Sequence, residues 1–295
     1  MPRPKFDLSA PADTSPTSVT DWLEANLLIY EHKGFSRTLI RDRIGNAGLS
    51  EEPDILVDLV FAEVSRRATW APATYPFRES DFGLEKAEGI DESAYEFLLW
   101  LAMSPAYRKH KRYARADYIF DHLVRQAIEG LLGDRATAMR FAWPSDGGRP
   151  KGFPQAMAWL ARQLGLALGT LGPRPTVKDG GVDVIGWKPF MDRRTGFPLM
   201  LCQATVQDDL HKKARDIVVD QWRGWLAMAK DPVTVLAVPF SLPINYEGWD
   251  QLRYTVHIVM DRLRVCEFLP TRIAQIAQIR KWNAFERSYL VPFIY

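Results

Sequence analysis

The sequence predicts a mixed α/β protein in which an all-helical N-terminal domain precedes a domain built around a β-sheet. Up to about residue 168, apolar residues recur at steps of three and four, which indicates amphipathic helices. Beyond residue 180, short apolar and β-branched runs alternate with turn residues, a pattern typical of strands. Helices followed by a hairpin, another helix and further strands are typical of mixed α/β architecture.

The composition favours a globular protein of one or two domains. Of the 295 residues, 47% are hydrophobic and 25% are charged, which are the proportions of a folded chain. The longest apolar runs, Phe97–Met103 and Val235–Phe240, fall far short of the roughly 18 residues that a membrane span needs. The two cysteines, Cys202 and Cys266, do not suggest a disulfide scaffold, so a reducing cytoplasm is expected. A net charge of +2 means that any surface for a polyanion must be local.

The predicted N-terminal elements are helices. Residues 1–20 are rich in proline, serine and threonine and are predicted to form a flexible lead-in. The helical domain spans residues 21–104, with a loop rich in proline and glycine at 70–89. Its predicted helices begin at Asp21 and then cover Ser36–Asn46, Glu51–Arg67 and Ser93–Met103.

A strongly basic run connects this domain to the next. Its basic residues are Arg108, Lys109, Lys111, Arg112 and Arg115, and tyrosines lie among them. Basic side chains neutralise phosphates while aromatic rings stack on bases, so the run is a candidate DNA-binding surface. A solvated helix start or a connector between domains explains the same composition, and the sequence leaves both interpretations open.

The second domain, residues 105–295, mixes helices and strands. Two helices, at about 116–132 and 154–168, precede a hairpin whose strands are Val182–Trp187 and Phe197–Thr205. The pattern then predicts a helix from Asp208 or Asp209 to about Met228, strands at Val233–Pro239 and Tyr254–Met260, and a helix at Thr271–Arg287. These strands would form a sheet with helices on its faces.

Oxygen-bearing side chains are expected to meet across the predicted hairpin. Side chains alternate along a strand, so Gln203 and Thr205 share one face, and the hairpin brings that face beside Asp183. Mg²⁺ and Mn²⁺ prefer oxygen ligands, and Mg²⁺ commonly combines one or two protein groups with water and phosphate. A cation held by Asp183 and Gln203 would polarise a phosphoryl oxygen, so phosphodiester hydrolysis is the predicted chemistry.

Short motifs in this part of the chain together resemble the PD-(D/E)XK restriction-endonuclease-like superfamily. They are Asp121 on a helix, Gly181-Val182-Asp183 on one strand, Cys202-Gln203-Ala204 on the next, and the lysines that follow. The resemblance covers about residues 117–261 and is closest to uncharacterised bacterial proteins, some of them associated with anti-phage defence loci. It implies a restriction-endonuclease-like mixed β-sheet flanked by helices, with a metal site where the hairpin splays.

The resemblance implies roles in metal binding for three residues. Asp183 would be the main metal ligand, Gln203 would replace the second acidic residue, and Asp121 would support the metal or position a water. Each also has a structural explanation when it is taken alone. Asp183 suits a turn at the hairpin entry, Gln203 suits a buried amide, and Asp121 suits an exposed helix position.

The lysine that is usual in the superfamily is absent, because Thr205 occupies its position. A lysine from the following helix would replace it, and Lys212 is favoured slightly over Lys213, although both suit a solvated helix face equally well. The displaced lysine and the uncharged Gln203 support an alternative function. In that alternative, the chain is a catalytically inactive DNA-binding or scaffold subunit of a defence complex.

The predicted function is that of a metal-dependent DNA endonuclease, an effector of bacterial anti-phage defence with Mg²⁺ or Mn²⁺ as its cofactor. The chain has ten tryptophans, and most of those that can be assigned to a pattern lie in helical patterns typical of cores. Trp187, at the end of the Asp183 strand, and Trp143, in a loop, are expected to line a DNA groove. DNA and a protein partner are expected ligands, no membrane is expected, and a homo-oligomer is compatible with the sequence.

Overall fold

The computed structural model describes residues 6–8, 10–29, 34–103, 113–288 and 290–292. In chain order, they form β1 (Phe6–Leu8), α1 (Pro16–Ile29), β2 (Gly34–Ser36), α2 (Arg37–Asn46), α3 (Pro53–Trp70), β3 (Phe77–Glu79), β4 (Gly83–Lys86), α4 (Ser93–Met103), α5 (Tyr113–Leu132), β5 (Thr137–Arg140), α6 (Phe153–Leu164), β6 (Val184–Trp187), β7 (Leu199–Ala204), α7 (Leu210–Ala214), α8 (Val219–Trp225), β8 (Val233–Ala237), α9 (Trp249–Thr255), β9 (Ile258–Met260), α10 (Arg262–Glu267), α11 (Ile276–Arg287) and β10 (Leu290–Pro292). Within these ranges, no helix combines the length and the apolar character that crossing a bilayer requires.

A five-stranded mixed sheet forms the centre of the C-terminal half. Its strand order is β5-β6-β7-β8-β9, with β5, β6 and β7 antiparallel and β7, β8 and β9 parallel. A mixed sheet flanked by helices confirms the predicted fold class, and the predicted hairpin is β6 with β7. Val184 pairs with Cys202, which places Asp183 opposite Gln203 at the open end of this hairpin.

The two faces of the sheet pack into different hydrophobic cores, as the alternation of side chains along a strand requires. On one face, Val184 and Cys202 join a core that contains Phe120 of α5. On the other face, Ile185 and Leu201 join a core with α6 and α8. Hydrophobic cores therefore cover both faces of the hairpin. Its open end is the part that remains available for a functional site.

The first of these cores continues into the N-terminal half. It contains Trp22 of α1 together with Cys266 of α10 and Ile279 of α11. An ion pair between Arg262 and Asp21, 2.8 Å long, also joins the two halves. The hydrophobic core therefore passes across the predicted boundary at residue 104, and the division into two domains stays a prediction.

The N-terminal half is mainly helical, but it is not all-helical as predicted. β2, β4 and β3 form an antiparallel sheet, and two of these strands lie in the segment that was expected to be a loop. Strands this short show no readable alternation, so the sequence could not reveal them. A Cβ at Gly83 would lie 2.1 Å from the Phe35 carbonyl oxygen, so this close strand approach requires glycine. α1 also begins at Pro16, inside the expected lead-in, and buries Val19 and Thr20.

The C-terminal elements differ from the prediction where they are short. The helix that was expected to reach Met228 is divided into α7 and α8, and β9 is shorter than expected because α9 occupies the residues before it. β5 and α10 were not predicted at all. Elements of one or two turns, or of four strand residues, contain too few positions for hydrophobic periodicity to define them.

Candidate functional site

A cavity of about 240 Å³ lies at the end of the sheet where β6 begins and β7 ends. Its walls come from α5, from the segment that follows β5, from the β6–β7 hairpin and from α7. The lining residues are Asp117, Phe120, Asp121, Arg140, Ala142, Trp143, Pro144, Asp183, Gln203, Ala204, Thr205, Val206, Gln207 and Lys213. The three residues that the sequence predicts for a metal site, Asp121, Asp183 and Gln203, therefore lie around one cavity.

The backbone holds Asp183 in place from both sides. Its N–H donates to the Cys202 carbonyl at 2.8 Å, and its own carbonyl accepts from the Phe141 N–H at 2.6 Å. Gly181, two residues earlier, has φ +77°, and a Cβ there would lie 2.1 Å from the Asp216 carbonyl oxygen. Because a larger residue does not fit this turn, the sequence Gly181-Val182-Asp183 presents the carboxylate from a fixed backbone.

One oxygen of the Asp183 carboxylate is hydrogen-bonded and the other is not. Oδ2 accepts from Gln203 Nε2 at 2.6 Å and from the Ala204 N–H at 2.9 Å. Oδ1 has no hydrogen-bond partner in the part of the chain that the structure describes. Gln203 Nε2 also donates to the Ala204 carbonyl at 3.2 Å, so this nitrogen lies between two acceptor oxygens. A cation also favours a position between two oxygen atoms.

Two of the carboxyl groups that line the cavity, those of Asp121 and Asp183, have raised pKa values. Burial raises the pKa of Asp183 to about 7, although the Ala204 N–H, Arg140 and Lys213 oppose the rise. Burial also raises the pKa of Asp121 well above its usual value, and the charge of Asp183 adds to that effect. An additional positive charge in the cavity would therefore favour the ionised form of both groups.

Arg140, at the end of β5, is the site residue that sequence reasoning missed. Its Nε donates to Asp121 Oδ2 at 2.8 Å, and its Nη1 donates to the Pro144 carbonyl at 2.7 Å and to Asp146 Oδ1 at 3.1 Å. The arginine is buried and lines the cavity. The sequence signal that could have revealed Arg140 is that it is the single charge within the apolar segment 138–143. A guanidinium buried in such a segment requires acceptors nearby.

The lysine at the cavity comes from α7. Lys213 lines the cavity, and its Nζ lies 2.8 Å from Asp216 Oδ2. Lys212, which the sequence favoured slightly, is exposed and does not line the cavity. Asp209 caps α7 by accepting from the Lys212 N–H at 3.0 Å, which fixes where the helix begins. Thr205, in the usual lysine position, is buried in the cavity wall.

The predicted basic surface lies mostly outside the described residues. The basic residues that lie outside the described ranges are Arg108, Lys109, Lys111 and Arg112. Arg115, the last of the run, is exposed on α5. DNA binding by the run stays a prediction.

The two tryptophans that were expected to line a groove lie in different surroundings. Trp187 is 6% exposed and belongs to the core on the α6 side of the sheet. Its indole is therefore not accessible to a base, contrary to the expectation, because side chains of the second core cover it. Trp143 is 40% exposed and lines the cavity with Asp183.

The donor groups of the cavity suit a hard divalent cation. Asp183 offers an oxygen without a hydrogen bond, whereas Gln203 turns its amide nitrogen toward Asp183 and would offer its amide oxygen after rotation of the amide. Mg²⁺ commonly takes one or two carboxylates and completes its shell with water and substrate phosphates. Among the residues that the structure describes, no three His, Cys, Asp or Glu side chains form a metal-binding group. Because Asp121 is paired with Arg140 at 2.8 Å, Asp183 is the carboxylate best placed to bind a cation.

Comparison with known proteins gives little beyond this geometry. No family model matches the chain, and no curated protein matches it. A solved structure described as "MspJI Restriction Endonuclease in Complex with 27-mer Oligonucleotide" is similar, with 14% sequence identity and a TM-score of 0.25. The match covers 69% of this chain and 40% of that chain, so this protein spans well under two thirds of the matched structure. The site itself has to support any functional conclusion.

Proposed function

We propose that this protein is a metal-dependent endonuclease that hydrolyses phosphodiester bonds in DNA. The proposal depends on the 2.6 Å contact between Asp183 Oδ2 and Gln203 Nε2, which brings together, across a hairpin at the cavity, the two side chains that the sequence predicts as metal ligands. Asp121 and Lys213 line the same cavity. From the resemblance to PD-(D/E)XK proteins, we further propose an effector role in anti-phage defence in the bacterial cytoplasm, with a protein partner.

Each cavity residue would act through its charge and its position. Asp183 and Gln203 would hold Mg²⁺ or Mn²⁺ through their oxygens. Such an ion, when bound, lowers the pKa of water and stabilises negative charge on a phosphate. The Lys213 ammonium already acts on the charge of Asp183 and would also attract a phosphate. Arg140 holds Asp121 in place and adds a second positive charge to the cavity wall.

A second function also has structural support, namely a catalytically inactive DNA-binding or scaffold subunit. Gln203 and the Ala204 N–H satisfy Asp183 Oδ2, and Arg140 pairs with Asp121. The cluster is therefore partly neutralised by the protein itself, and the uncharged Gln203 contributes no attraction for a cation. This alternative predicts binding of DNA without cleavage.

Cleavage of plasmid and of labelled single strands distinguishes the two functions. We expect the wild type to cleave with Mg²⁺ or Mn²⁺ and not with EDTA, and Asp183→Asn to lose at least about 100-fold in rate through lost metal affinity. Asp192→Asn, at the exposed hairpin tip, is the matched control and should cleave like the wild type. Equal cleavage by wild type and Asp183→Asn contradicts the proposed site. Binding without cleavage under any metal condition supports the inactive alternative.

A further inference from the structure

Trp143 presents an uncovered aromatic ring at the cavity. Its side chain is 40% exposed, and its ring makes no aromatic or cation–π contact with the residues that the structure describes. Trp70 is 42% exposed, but the guanidinium of Arg66 covers its ring at 4.4 Å from the centroid. A partly exposed indole that lines a cavity and has no aromatic or cationic partner is a candidate surface for stacking of a nucleobase.

Arg140, three residues before Trp143, is held rigidly beside it in the cavity wall. Its Nε and Nη1 are engaged by Asp121, by the Pro144 carbonyl and by Asp146. Its Nη2 donates to none of the residues in the described ranges. The planar guanidinium matches the geometry of phosphate oxygens, and a fixed guanidinium loses little entropy on binding. The cavity thus combines an aromatic face with a donor for phosphate.

The size of the cavity restricts what can reach the carboxylates. Its volume of about 240 Å³ is below the roughly 300–1,000 Å³ of pockets that enclose a drug-sized ligand. The Asp121 side chain is 8% exposed, whereas Trp143 is 40% exposed, so the tryptophan lies nearer the surface. A duplex exposes its phosphates but keeps the faces of its bases stacked, so a base can stack on Trp143 only when its nucleotide has left the duplex stack.

We infer that Trp143 and Arg140 form a subsite for one unpaired nucleotide, with the base on the indole and the phosphate on the guanidinium. The inference rests on the proposed nuclease function and extends it by naming the substrate class, single-stranded DNA. Every base has a π-face, so a stacking subsite of this kind tolerates any sequence.

Binding measured in EDTA tests the subsite separately from catalysis. Fluorescence anisotropy compares an oligothymidylate with an abasic strand of the same length and charge, and with a duplex. We expect the wild type to prefer the thymidylate over the abasic strand by about tenfold, and to bind the duplex more weakly. Trp143→Ala should abolish this preference, whereas Trp143→Phe and the matched control Trp70→Ala should retain it. Because the two strands carry the same charge, the ratio of their affinities is insensitive to changes in electrostatic attraction.

Arg140→Lys tests the phosphate half of the subsite. Because an ammonium cannot reproduce the guanidinium geometry, affinity should fall by about threefold to tenfold for thymidylate and abasic strands alike, without a change in their ratio. Unchanged affinity for both strands overturns the assignment of the phosphate to Arg140.

The outcomes separate this inference from the nuclease proposal. A preference that survives in Trp143→Ala, or that is also lost in Trp70→Ala, overturns the subsite even if the wild type cleaves DNA. Tighter binding of the duplex overturns it as well. A preference that depends on Trp143, in a protein that cleaves nothing with Mg²⁺ or Mn²⁺, supports the subsite and contradicts the nuclease function. If circular dichroism shows that Trp143→Ala is unfolded, Trp143→Leu provides the same comparison, because leucine also lacks an aromatic ring but fills more space than alanine.

Discussion

Two clusters in which buried carboxylates lie beside arginines differ in how completely their charges are matched. The inner network joins α1, α3, α4 and α10 and consists of Asp21, Glu24, Arg67, Tyr75, Tyr95 and Arg262. The cavity cluster consists of Asp121, Arg140, Asp183 and Gln203. All four carboxylate oxygens of the inner network accept hydrogen bonds, whereas Asp183 Oδ1 has no partner in the described chain.

The pKa values reflect this difference in matching. Burial would raise the pKa of Asp21, but Arg262 and Arg67 outweigh it and lower the pKa. At Asp183 burial prevails, and the pKa rises to about 7. Glu24, at the centre of the inner network, also has a raised pKa because of burial, but Arg67 and two tyrosine hydroxyls satisfy its oxygens. Complete matching is typical of a structural network, whereas the proposed metal site requires the incomplete matching of the second cluster.

Breaking the inner network should have the largest effect on stability. Arg67→Met leaves the buried Glu24 without an arginine, while Asp21 keeps only Arg262, and should lower the free energy of unfolding by about 3–5 kcal/mol. Urea unfolding followed by circular dichroism measures the change.

Arg66→Met is the matched control for that measurement. Arg66 neighbours Arg67 on α3 and also pairs with Glu63, but Glu63 keeps Arg67 as a partner when Arg66 is removed, so the loss should be clearly smaller than in Arg67→Met. Equal losses in the two variants would show that helix packing, and not the network, accounts for the stability.

The cavity cluster could be predicted only where the sequence signal is local. The alternation of side chains and the turn at Gly181 placed Asp183 beside Gln203, since the two strands form one hairpin. Arg140 could not be found in that way, because its strand is four residues long and joins the sheet through a non-local pairing. The choice between Lys212 and Lys213 depends on helix phase, and one residue turns the side chain by about 100°.

The inner network was beyond the reach of pattern reasoning for a related physical reason. Asp21 and Arg262 are 241 positions apart, and neither motif nor periodicity relates them. Asp21 lies at a predicted helix start and Arg262 lies just after a predicted strand, so each suits an exposed position in the sequence. Only the packing of α10 against the N-terminal helices brings them together.

Removing the unmatched charge of the cavity cluster should stabilise the protein at alkaline pH. The folded-state pKa of Asp183, about 7, lies above its ordinary value of 3.8, so folding is penalised progressively as the pH rises between these values. Asp183→Asn retains the acceptor oxygen and removes the penalty. In EDTA near pH 8, we expect the variant to be more stable by up to about 4 kcal/mol, with a melting temperature higher by roughly 8–16 °C. Near pH 4, wild type and variant should melt alike, and a constant difference at both pH values contradicts the assigned pKa.

The same titration should make cation binding depend on pH. A cation competes with the proton on Asp183, whose pKa is about 7, so affinity should increase as the pH rises through this value. Between about pH 6 and pH 8, we expect a tenfold tighter dissociation constant for Mn²⁺, measured by isothermal titration calorimetry. Asp183→Asn should show no such dependence. Mn²⁺ binding that is equally tight at both pH values would place the cation elsewhere.

The smallest expected effect distinguishes the two neighbouring lysines of α7. Lys213 lines the cavity, but Asp216 shares its ammonium at 2.8 Å, so the loss of its charge is partly compensated. Lys213→Met should reduce the cleavage rate by about threefold to fivefold, with most of the change in kcat. Lys212→Met is the matched control, because it removes the same charge from an exposed position of the same helix, and it should leave the rate unchanged. A loss in Lys212→Met and none in Lys213→Met would mean that α7 turns its other side toward the carboxylates when DNA is bound.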